Sequence, residues 1–129
     1  MRAVVIEEPG RIAVTEVDDP TPGPREVVVE VAGVGICGTD LHILDGEFAP
    51  TPYPIVPGHE FAGTVAAVGS EVTELAVGER VAVDPSLFCG ECHFCAIGRG
   101  NLCERWNAIG VTRPGAAAEF CLAPVANCH

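Results

Sequence analysis

The sequence contains no lysine, and its seven arginines are outnumbered by 18 aspartates and glutamates, which gives a formal net charge of −11 at pH 7. Nucleic acids and anionic membranes are bound through clustered cationic side chains. The composition therefore predicts that neither is a partner of this chain.

Long apolar runs are also missing. None approaches the roughly 20 residues that a membrane-spanning helix needs. The first ten residues, MRAVVIEEPG, contain glutamates and a proline where a secretory signal peptide would have its apolar core. These absences lead us to expect a cytosolic protein.

A third absence concerns helices, because no segment shows a helical pattern of three turns. Instead, six short valine-rich stretches alternate in part between apolar and polar residues and are separated by Gly, Pro and acidic turns. They are AVVIE, IAVTEV, EVVVEVAGVG, FAGTVAAVG, ERVAVDP and AAEFCLAP. The pattern predicts one mainly β domain over residues 1–129, a barrel or sandwich of short strands with a loop-rich insertion from about Ser86 to Asn107.

The stretch VAGVGICGTDLH contains Gly33, Gly35 and Gly38 at the G-x-G-x-x-G spacing of a dinucleotide-binding turn. Such a turn opens a long helix within a parallel strand-helix-strand unit. Here at most two helical turns follow Gly38 before Gly46 and a proline cluster interrupt the chain. We therefore interpret the spacing as chance and expect the glycines to let the backbone turn beside Cys37.

Four of the seven cysteines stand at C-x2-C-x2-C-x7-C in the segment CGECHFCAIGRGNLC. Clustered cysteines in a reducing compartment more often bind metal than form disulfides. Two-residue gaps place successive sulfurs on one side of a tight turn, and the fourth sulfur closes a tetrahedron, which is the geometry of zinc held by thiolates. Four thiolates leave no open coordination position, so we expect this zinc to be structural.

Two other interpretations of this segment are possible. The first three cysteines match the beginning of a bacterial iron-sulfur motif, but that motif has its fourth cysteine after three residues and then a proline. Here seven residues intervene and Glu104 follows. Four independent thiols are the second alternative, which the density and regularity of the cysteines disfavour.

A second group of polar residues lies at strand-loop junctions. Cys37, with Thr39 and His42 close behind it, and His59, followed by Glu60, offer a thiolate, an imidazole and a carboxylate for an open metal site. Each residue also has an ordinary structural interpretation, as a small buried thiol, a hydrogen-bonded histidine or a solvated charge. The residues alone leave the two interpretations evenly balanced.

Three motifs resemble those of the medium-chain zinc-dependent alcohol dehydrogenases, and the similarity extends over nearly the whole chain. GHEFAGTVAAVGSEV fits the family signature G-H-E-x2-G-x5-G-x2-V at every position. GICGTDLH is similar to the family's catalytic-zinc cysteine with its proton relay, and the segment from Cys89 to Cys103 has the family's structural-zinc spacing. The chain thus resembles the N-terminal, GroES-like catalytic domain of that family.

The resemblance implies a role for each matching residue. Cys37 and His59 become ligands of a catalytic zinc, and Glu60 becomes a ligand or a carboxylate just behind the ligands, as in the polyol dehydrogenase branch. Thr39 would pass the proton of the alcohol towards His42. The ligands of the structural zinc are Cys89, Cys92, Cys95 and Cys103.

The implied activity is oxidation of a secondary alcohol to a ketone with NAD or NADP, as in the polyol, sugar-alcohol and threonine dehydrogenases. Two zinc ions and a nicotinamide nucleotide are the implied cofactors, a small alcohol is the substrate, and the intact enzyme is a homo-oligomer. The family's Rossmann domain and a further zinc ligand have no counterpart in these residues, so we expect the chain to end in a connector and to be inactive alone. A zinc-stabilised barrel that acts as a scaffold is the alternative, but a scaffold has no use for a proton relay.

Weaker predictions concern residues outside these groups. Phe48 and Trp106 are candidate pocket walls, although large apolar residues more often pack in a core. His93 is expected to be exposed, since four sulfurs already satisfy the metal. Cys121 is expected to be a small core residue, and residues 128–129 to belong to the connector.

Overall fold

A computed structural model describes all 129 residues, and the chain is built mainly from short strands. The strands are β1 (Arg2–Glu8), β2 (Arg11–Glu16), β3 (Glu26–Gly35), β4 (Glu60–Val68), β5 (Arg80–Val83), β6 (Ser86–Leu87), β7 (Asn107–Ala108) and β8 (Phe120–Pro124). The other elements are the helices α1 (Gly38–Leu44) and α2 (His93–Ala96) and the 3-10 turns Gly100–Leu102 and Val125–Asn127. The prediction of a mainly β fold without a helix of three turns is confirmed. Neither helix is long and apolar enough to cross a membrane.

Four antiparallel strands in the order β5-β4-β3-β8 form the central sheet. The three consecutive valines Val27 to Val29 of β3 are all buried, so this strand is covered on both faces. The register between β3 and β4 shifts twice, between Val28 and Val29 and between Val31 and Gly33. Such bulges bend a strand and increase its twist, which lets a sheet of this size curl towards a barrel.

Strand β1 and the C-terminal residues extend the pairing at the two sides of the barrel. The N–H of Val4 donates to the carbonyl of Ala117 at 2.7 Å, and Ile6 exchanges two hydrogen bonds with Ile55. β1 also forms a hairpin with β2. On the other side, Ala82 in β5 exchanges two hydrogen bonds with His129. The predicted barrel of short strands is therefore present, and residues 128–129 are paired with β5.

Two hydrophobic clusters fix the elements that carry the candidate site. The main core lies between the strands and contains Val27, Val29, Phe61 and Val65 among its eleven buried residues. A second cluster of five buried residues lies beneath α1 and includes Ile43, which is 0% exposed. Full burial of one such side chain contributes about 1.5–3 kcal/mol. Ile43 thereby holds α1, and with it the residues at its N-terminus, against the barrel.

The glycines of the stretch around Cys37 do not have the role that the sequence predicted. None of the three adopts a positive φ, and a Cβ added at Gly33 or Gly38 would meet nothing within 4 Å. Only Gly35 is crowded, because an added Cβ would lie 2.7 Å from the carboxylate of Glu60. The expectation that they let the backbone turn is therefore wrong. The first part of the stretch, Val31 to Gly35, pairs antiparallel with β4, so it is not part of a parallel strand-helix-strand unit.

Candidate metal centres

The four cysteines of the insertion come together as one sulfur cluster. The two-residue strands β6 and β7 pair with each other and close the base of the insertion. All four Sγ atoms lie within 4.8 Å of one another, and those of Cys89 and Cys95 are 3.9 Å apart. Gly90 and Gly98, both with positive φ, provide tight turns between the cysteines. None of the cysteines forms a disulfide, so all four sulfurs are available to a metal.

Backbone N–H groups point at two of these sulfurs. The N–H of Cys92 donates to Sγ of Cys89 at 3.4 Å. The N–H groups of Cys89 and Arg105 donate to Sγ of Cys103 at 3.3 and 3.4 Å. Hydrogen bonds to a sulfur stabilise its thiolate form. The fold therefore favours negative charge on the cluster before any metal is bound.

The thiols of the cluster differ in acidity. The N–H groups of Glu91 and Cys92 lower the pKa of Cys89 to about 6, whereas burial raises the pKa of Cys95 to about 12. Sulfurs this close cannot all be ionised without a cation, because each thiolate destabilises the next. Tetrahedral zinc with bonds of about 2.3 Å would hold its sulfurs about 3.8 Å apart, close to the observed separation. The sulfur cluster fits a zinc ion.

The second group of donors is built at the N-terminus of α1. Cys37 is the N-cap residue of this helix, with an extended backbone, and its Sγ accepts a hydrogen bond from the N–H of Thr39 at 3.3 Å. A side chain in this position satisfies one of the N–H groups that the first turn of a helix leaves free. The position of the Cys37 sulfur is therefore set by the helix.

His59 approaches this sulfur from the loop before β4. Gly58 precedes it with a φ of +93°, and a Cβ added there would lie 2.8 Å from the backbone nitrogen of Ala117 and from a methyl group of Val34. Only glycine is compatible with both constraints. The loop places Nε2 of His59 3.2 Å from Sγ of Cys37. Tetrahedral zinc, with bonds of about 2.3 Å to sulfur and about 2.05 Å to nitrogen, would hold such atoms about 3.6 Å apart.

Asp40 lies beside Cys37 and His59, and the sequence analysis did not predict it as a site residue. Its carboxylate accepts hydrogen bonds from the N–H groups of Cys37 at 2.9 Å and Gly58 at 3.3 Å. One oxygen lies 3.5 Å from Nδ1 of His59, a buried nitrogen that has no aligned hydrogen bond. A carboxylate behind the second nitrogen of a ligating histidine orients the imidazole towards zinc. The signal in the sequence was the spacing C-x2-D, an N-cap residue followed by an acid at the third helical position.

We call Cys37, Asp40 and His59 the Cys37 group, and their donor atoms all lie within 4.8 Å of one another. Asp40 already accepts two N–H groups and lies behind the ring, so Sγ and Nε2 are the donors that remain for a metal. Two donors leave coordination positions open, as a catalytic zinc requires. The Cys37 group therefore fits a zinc ion that is accessible to a further ligand.

The other residues predicted for the open site lie around this group. Glu60 is exposed at the start of β4, and its carboxylate lies against Gly35. It is not one of the residues whose donor atoms lie close together in the Cys37 group. Thr39 and His42 lie three residues apart on α1, but no hydrogen bond joins them. Their roles, and that of Glu60 as a ligand, remain predictions.

The burial and packing of Phe48, Trp106, His93 and Cys121 bear on the weaker predictions. Phe48 and Trp106 pack against the second hydrophobic cluster and are not part of either group of donors. His93 is exposed, and Cys121 is 2% exposed in the main core, both as predicted. Burial raises the pKa of the Cys121 thiol to about 12, which agrees with its role as a small core residue.

An apolar groove of about 510 Å³ borders the Cys37 group. Asp40 and Gly58 form part of its wall, whereas Cys37 and His59 do not line it. Ile36 and Leu41, which are 81% and 57% exposed, contribute apolar surface to this groove. An apolar surface therefore lies directly beside the open group of donors.

Comparison with known proteins gives concordant results. L-threonine 3-dehydrogenase of Saccharopolyspora erythraea is 48% identical over 131 residues, which cover 98% of this chain and 38% of that protein. D-altritol 5-dehydrogenase of Agrobacterium fabrum is 40% identical over 129 residues, which cover 100% of this chain and 38% of that protein. The crystal structure of a candidate zinc-binding dehydrogenase from Sinorhizobium meliloti 1021, bound to NADP, has a TM-score of 0.96 and 45% identity over 99% of this chain and 37% of that chain.

The chain thus spans about 38% of the length of these curated relatives. The family model for the alcohol dehydrogenase GroES-like domain matches residues 23–129, which is most of the chain. These matches confirm the resemblance inferred from the three motifs and the mainly β architecture. The chain belongs to the family of alcohol dehydrogenase GroES-like domains.

Proposed function

We propose that this chain is the zinc-binding catalytic domain of a dehydrogenase that oxidises a secondary alcohol to a ketone with NAD or NADP. The observation that carries the proposal is the 3.2 Å separation of the Cys37 sulfur and Nε2 of His59, with Asp40 behind the imidazole ring. The similarity to L-threonine 3-dehydrogenase and D-altritol 5-dehydrogenase supports a small hydroxylated substrate. In this proposal, nucleotide binding and oligomer contacts come largely from the part of such enzymes that this chain does not match.

In the proposed reaction, different residues of the chain have different roles. Cys37 and His59 would hold the catalytic zinc, and the sulfur cluster would hold the structural one. When bound, zinc supplies a Lewis acid that lowers the pKa of an alcohol hydroxyl, and the nicotinamide supplies the hydride acceptor. Asp40 orients His59 through Nδ1. Thr39 would pass the hydroxyl proton of the substrate towards His42.

We also propose that these 129 residues do not turn over substrate by themselves. Hydride transfer needs the nicotinamide held in contact with the alcohol carbon. Dinucleotides are bound at parallel strand-helix-strand units, and the sheet of this chain is antiparallel. No NADH should form when the purified, zinc-loaded chain is mixed with NAD and a polyol. Steady NADH formation would refute this part of the proposal.

Cobalt substitution tests the open site, because Co²⁺ takes the place of Zn²⁺ and absorbs visible light in a way that depends on its ligands. We expect two cobalt ions per chain. Addition of imidazole, a small donor that fills an open coordination position, should change the spectrum. C37A should abolish the response to imidazole and leave the spectrum of the sulfur cluster. C128A, which removes a thiol outside both groups, is the matched control and should behave like the unaltered chain.

A spectrum that does not respond to imidazole, or a C37A spectrum identical to that of the unaltered chain, would exclude the open site. E60Q in the same experiment tests the predicted carboxylate ligand. A changed cobalt spectrum would keep Glu60 in the ligand set. An unchanged spectrum would remove Glu60 and leave the assignment of Cys37 and His59 intact.

A further inference from the structure

Just beyond the C-terminal end of helix α1, the side chain of Glu47 contacts that of His42. Glu47 is not part of any of the three sequence motifs. Oε2 of Glu47 lies 2.7 Å from Nδ1 of His42. Their side chains are 63% and 62% exposed, and an ion pair this exposed contributes little to stability. The contact matters for another reason, because the proposed function needs His42 as an acceptor of protons.

The local sequence dictates this contact. Gly46 follows α1 in the left-handed conformation, with a φ of +77°. The N–H of Gly46 donates to the carbonyl of Ile43 at 3.1 Å, and the N–H of Glu47 donates to the carbonyl of His42 at 2.8 Å. These are the two hydrogen bonds of a Schellman cap, which brings the residue after the glycine beside the third residue from the helix end. That contact is commonly apolar, and here it joins a carboxylate to an imidazole.

The pairing decides which nitrogen of His42 carries a proton. An ionised carboxylate only accepts hydrogen bonds, so Nδ1 of the neutral imidazole must be the protonated nitrogen. Nε2 then keeps its lone pair and is free to accept a proton. Thr39 and His42 are neighbours on the surface of α1, because residues three apart lie on the same side of a helix. The tautomer set by Glu47 is therefore the one that suits the end of a proton path.

We propose that Glu47 is a positioning residue that holds the proton of neutral His42 on Nδ1 and leaves Nε2 to accept the proton of the alcohol. The inference rests on the proposed function, since only there does His42 receive a proton. Asp45, the other acid at this end of the helix, is exposed and uses its backbone N–H in the cap, and its side chain has no hydrogen bond to His42. Glu47 alone sets the tautomer.

Nitrogen-15 NMR of the zinc-loaded chain tests the placement of the proton without any enzyme activity. The chain has only four histidines, so a long-range ¹H–¹⁵N spectrum can distinguish Nδ1–H from Nε2–H in each ring. In the neutral imidazole of His42, we expect the Nδ1–H form to predominate. His93 is the internal reference, because it is exposed and no hydrogen bond is formed by its imidazole ring.

E47A should shift the tautomer ratio of His42 to that of His93. D45A removes the other carboxylate at this end of the helix and should leave the ratio unchanged. A His42 that matches His93 in the unaltered chain, or that keeps the Nδ1–H form in E47A, would overturn the proposal. Metal analysis of the same samples distinguishes failure of the proposed function from failure of the tautomer proposal. If the Cys37 group binds no metal, the proposed function is wrong, but the tautomer measured for His42 is unaffected.

The effect of this tautomer on catalysis can be measured by steady-state kinetics. The measurement uses an enzyme of the relatives' length that contains this chain. A carboxylate that orients a metal-ligating histidine is typically worth about 10–100-fold in activity, and we take the lower end of that range for one that orients a proton-accepting histidine. We expect E47A to lower kcat about tenfold with little change in KM, and D45A to lower neither. An unchanged kcat in E47A, with the tautomer lost, would show that Glu47 does not serve proton transfer.

Discussion

The single carboxylate of Asp40 lies close to Cys37, Gly58 and His59. It accepts hydrogen bonds from the N–H groups of Cys37 and Gly58 and lies 3.5 Å from Nδ1 of His59. The helix that carries the sulfur and the loop that carries the imidazole are thereby connected before a metal binds. Groups that are positioned in advance bind a metal without the cost of ordering them. Asp40 should therefore raise the affinity of the open site for a metal without being one of its ligands.

D40N tests this role because it removes the charge and keeps the size of the side chain. We expect the zinc affinity of the Cys37 group to fall about 10–100-fold, since an amide stabilises the ligating imidazole less than a carboxylate does. Competition with a chromogenic chelator measures the affinity. D45N, which makes the same change at an exposed position, is the control. Equal affinities for D40N and D45N would contradict the role of Asp40.

Cys121 provides a prediction on pH dependence. Its pKa is raised to about 12 by burial, above the ordinary thiol value of about 8.5 in the unfolded chain. Between these values the unfolded chain has lost a proton that the folded chain keeps. The contribution of this group to the free energy of unfolding is therefore complete below about pH 8.5 and falls as the pH rises towards 12.

Alkylation followed by mass spectrometry checks the acidity of Cys121. At about pH 9, the folded chain should react at Cys121 roughly two to three orders of magnitude more slowly than the urea-unfolded chain, because only the thiolate is nucleophilic. The labelling rate should rise about tenfold for each pH unit up to about 12. A rate in the folded chain close to that of the unfolded chain would mean that this thiol is not a core residue.

Some site residues could be predicted from the sequence and others could not. The difference depends on how far away in the chain their partners lie. The sulfur cluster is encoded within 15 residues, so its spacing alone indicated a metal. Cys37 and His59 were assigned through a family signature. Asp40 was missed because one of its partners, Gly58, lies 18 residues away and meets it only in the folded chain. Glu47 was missed because its contact becomes apparent only when Gly46 is recognised as a helix cap.

The glycines of the family signature are explained by strand and loop packing. Besides Gly58, already described, Gly63 in β4 lies so close to β3 that an added Cβ would overlap the carbonyl oxygen of Glu30. Gly69, directly after β4, is similarly close to the carbonyl oxygens of Gly23 and Pro24. The signature G-H-E-x2-G-x5-G therefore records places where two backbones approach each other. Its histidine is the residue whose side chain lies beside the Cys37 sulfur.

G63A and G33A form a matched pair that tests this explanation. Both add one methyl group to the central sheet, but Gly33 has nothing within 4 Å of an added Cβ. We expect G63A to lower the free energy of unfolding by about 2–3 kcal/mol, as overpacking does. G33A should change it by less than about 1 kcal/mol, or raise it slightly. Urea unfolding with zinc in excess measures both, and equal effects would contradict the packing argument.

The strands were predicted more successfully than their pairing. All six valine-rich stretches fall on strands, and the stretch EVVVEVAGVG coincides with β3. The sequence did not predict β6 and β7, because two residues are too few to show alternation. The pairing of Ile6 with Ile55 was also missed, since it joins residues far apart in the chain and only two backbone groups take part.

In the molecule as a whole, the two candidate zinc centres belong to separate substructures. The sulfur cluster lies in the insertion, whose base is closed only by β6 and β7. The Cys37 group joins α1 to the loop before β4 and rests on the second hydrophobic cluster through Ile43. The account therefore requires two independent metal ions, one enclosed by sulfur and one open to a ligand.

Anomalous diffraction at the zinc absorption edge, from crystals of the zinc-replete chain, tests this requirement most directly. The account predicts two peaks in each chain, one at the centre of the four sulfurs and one between Sγ of Cys37 and Nε2 of His59. C37A crystals should keep the first peak and lose the second. A single peak at the sulfur cluster of the unaltered chain would contradict the account and favour a zinc-stabilised scaffold.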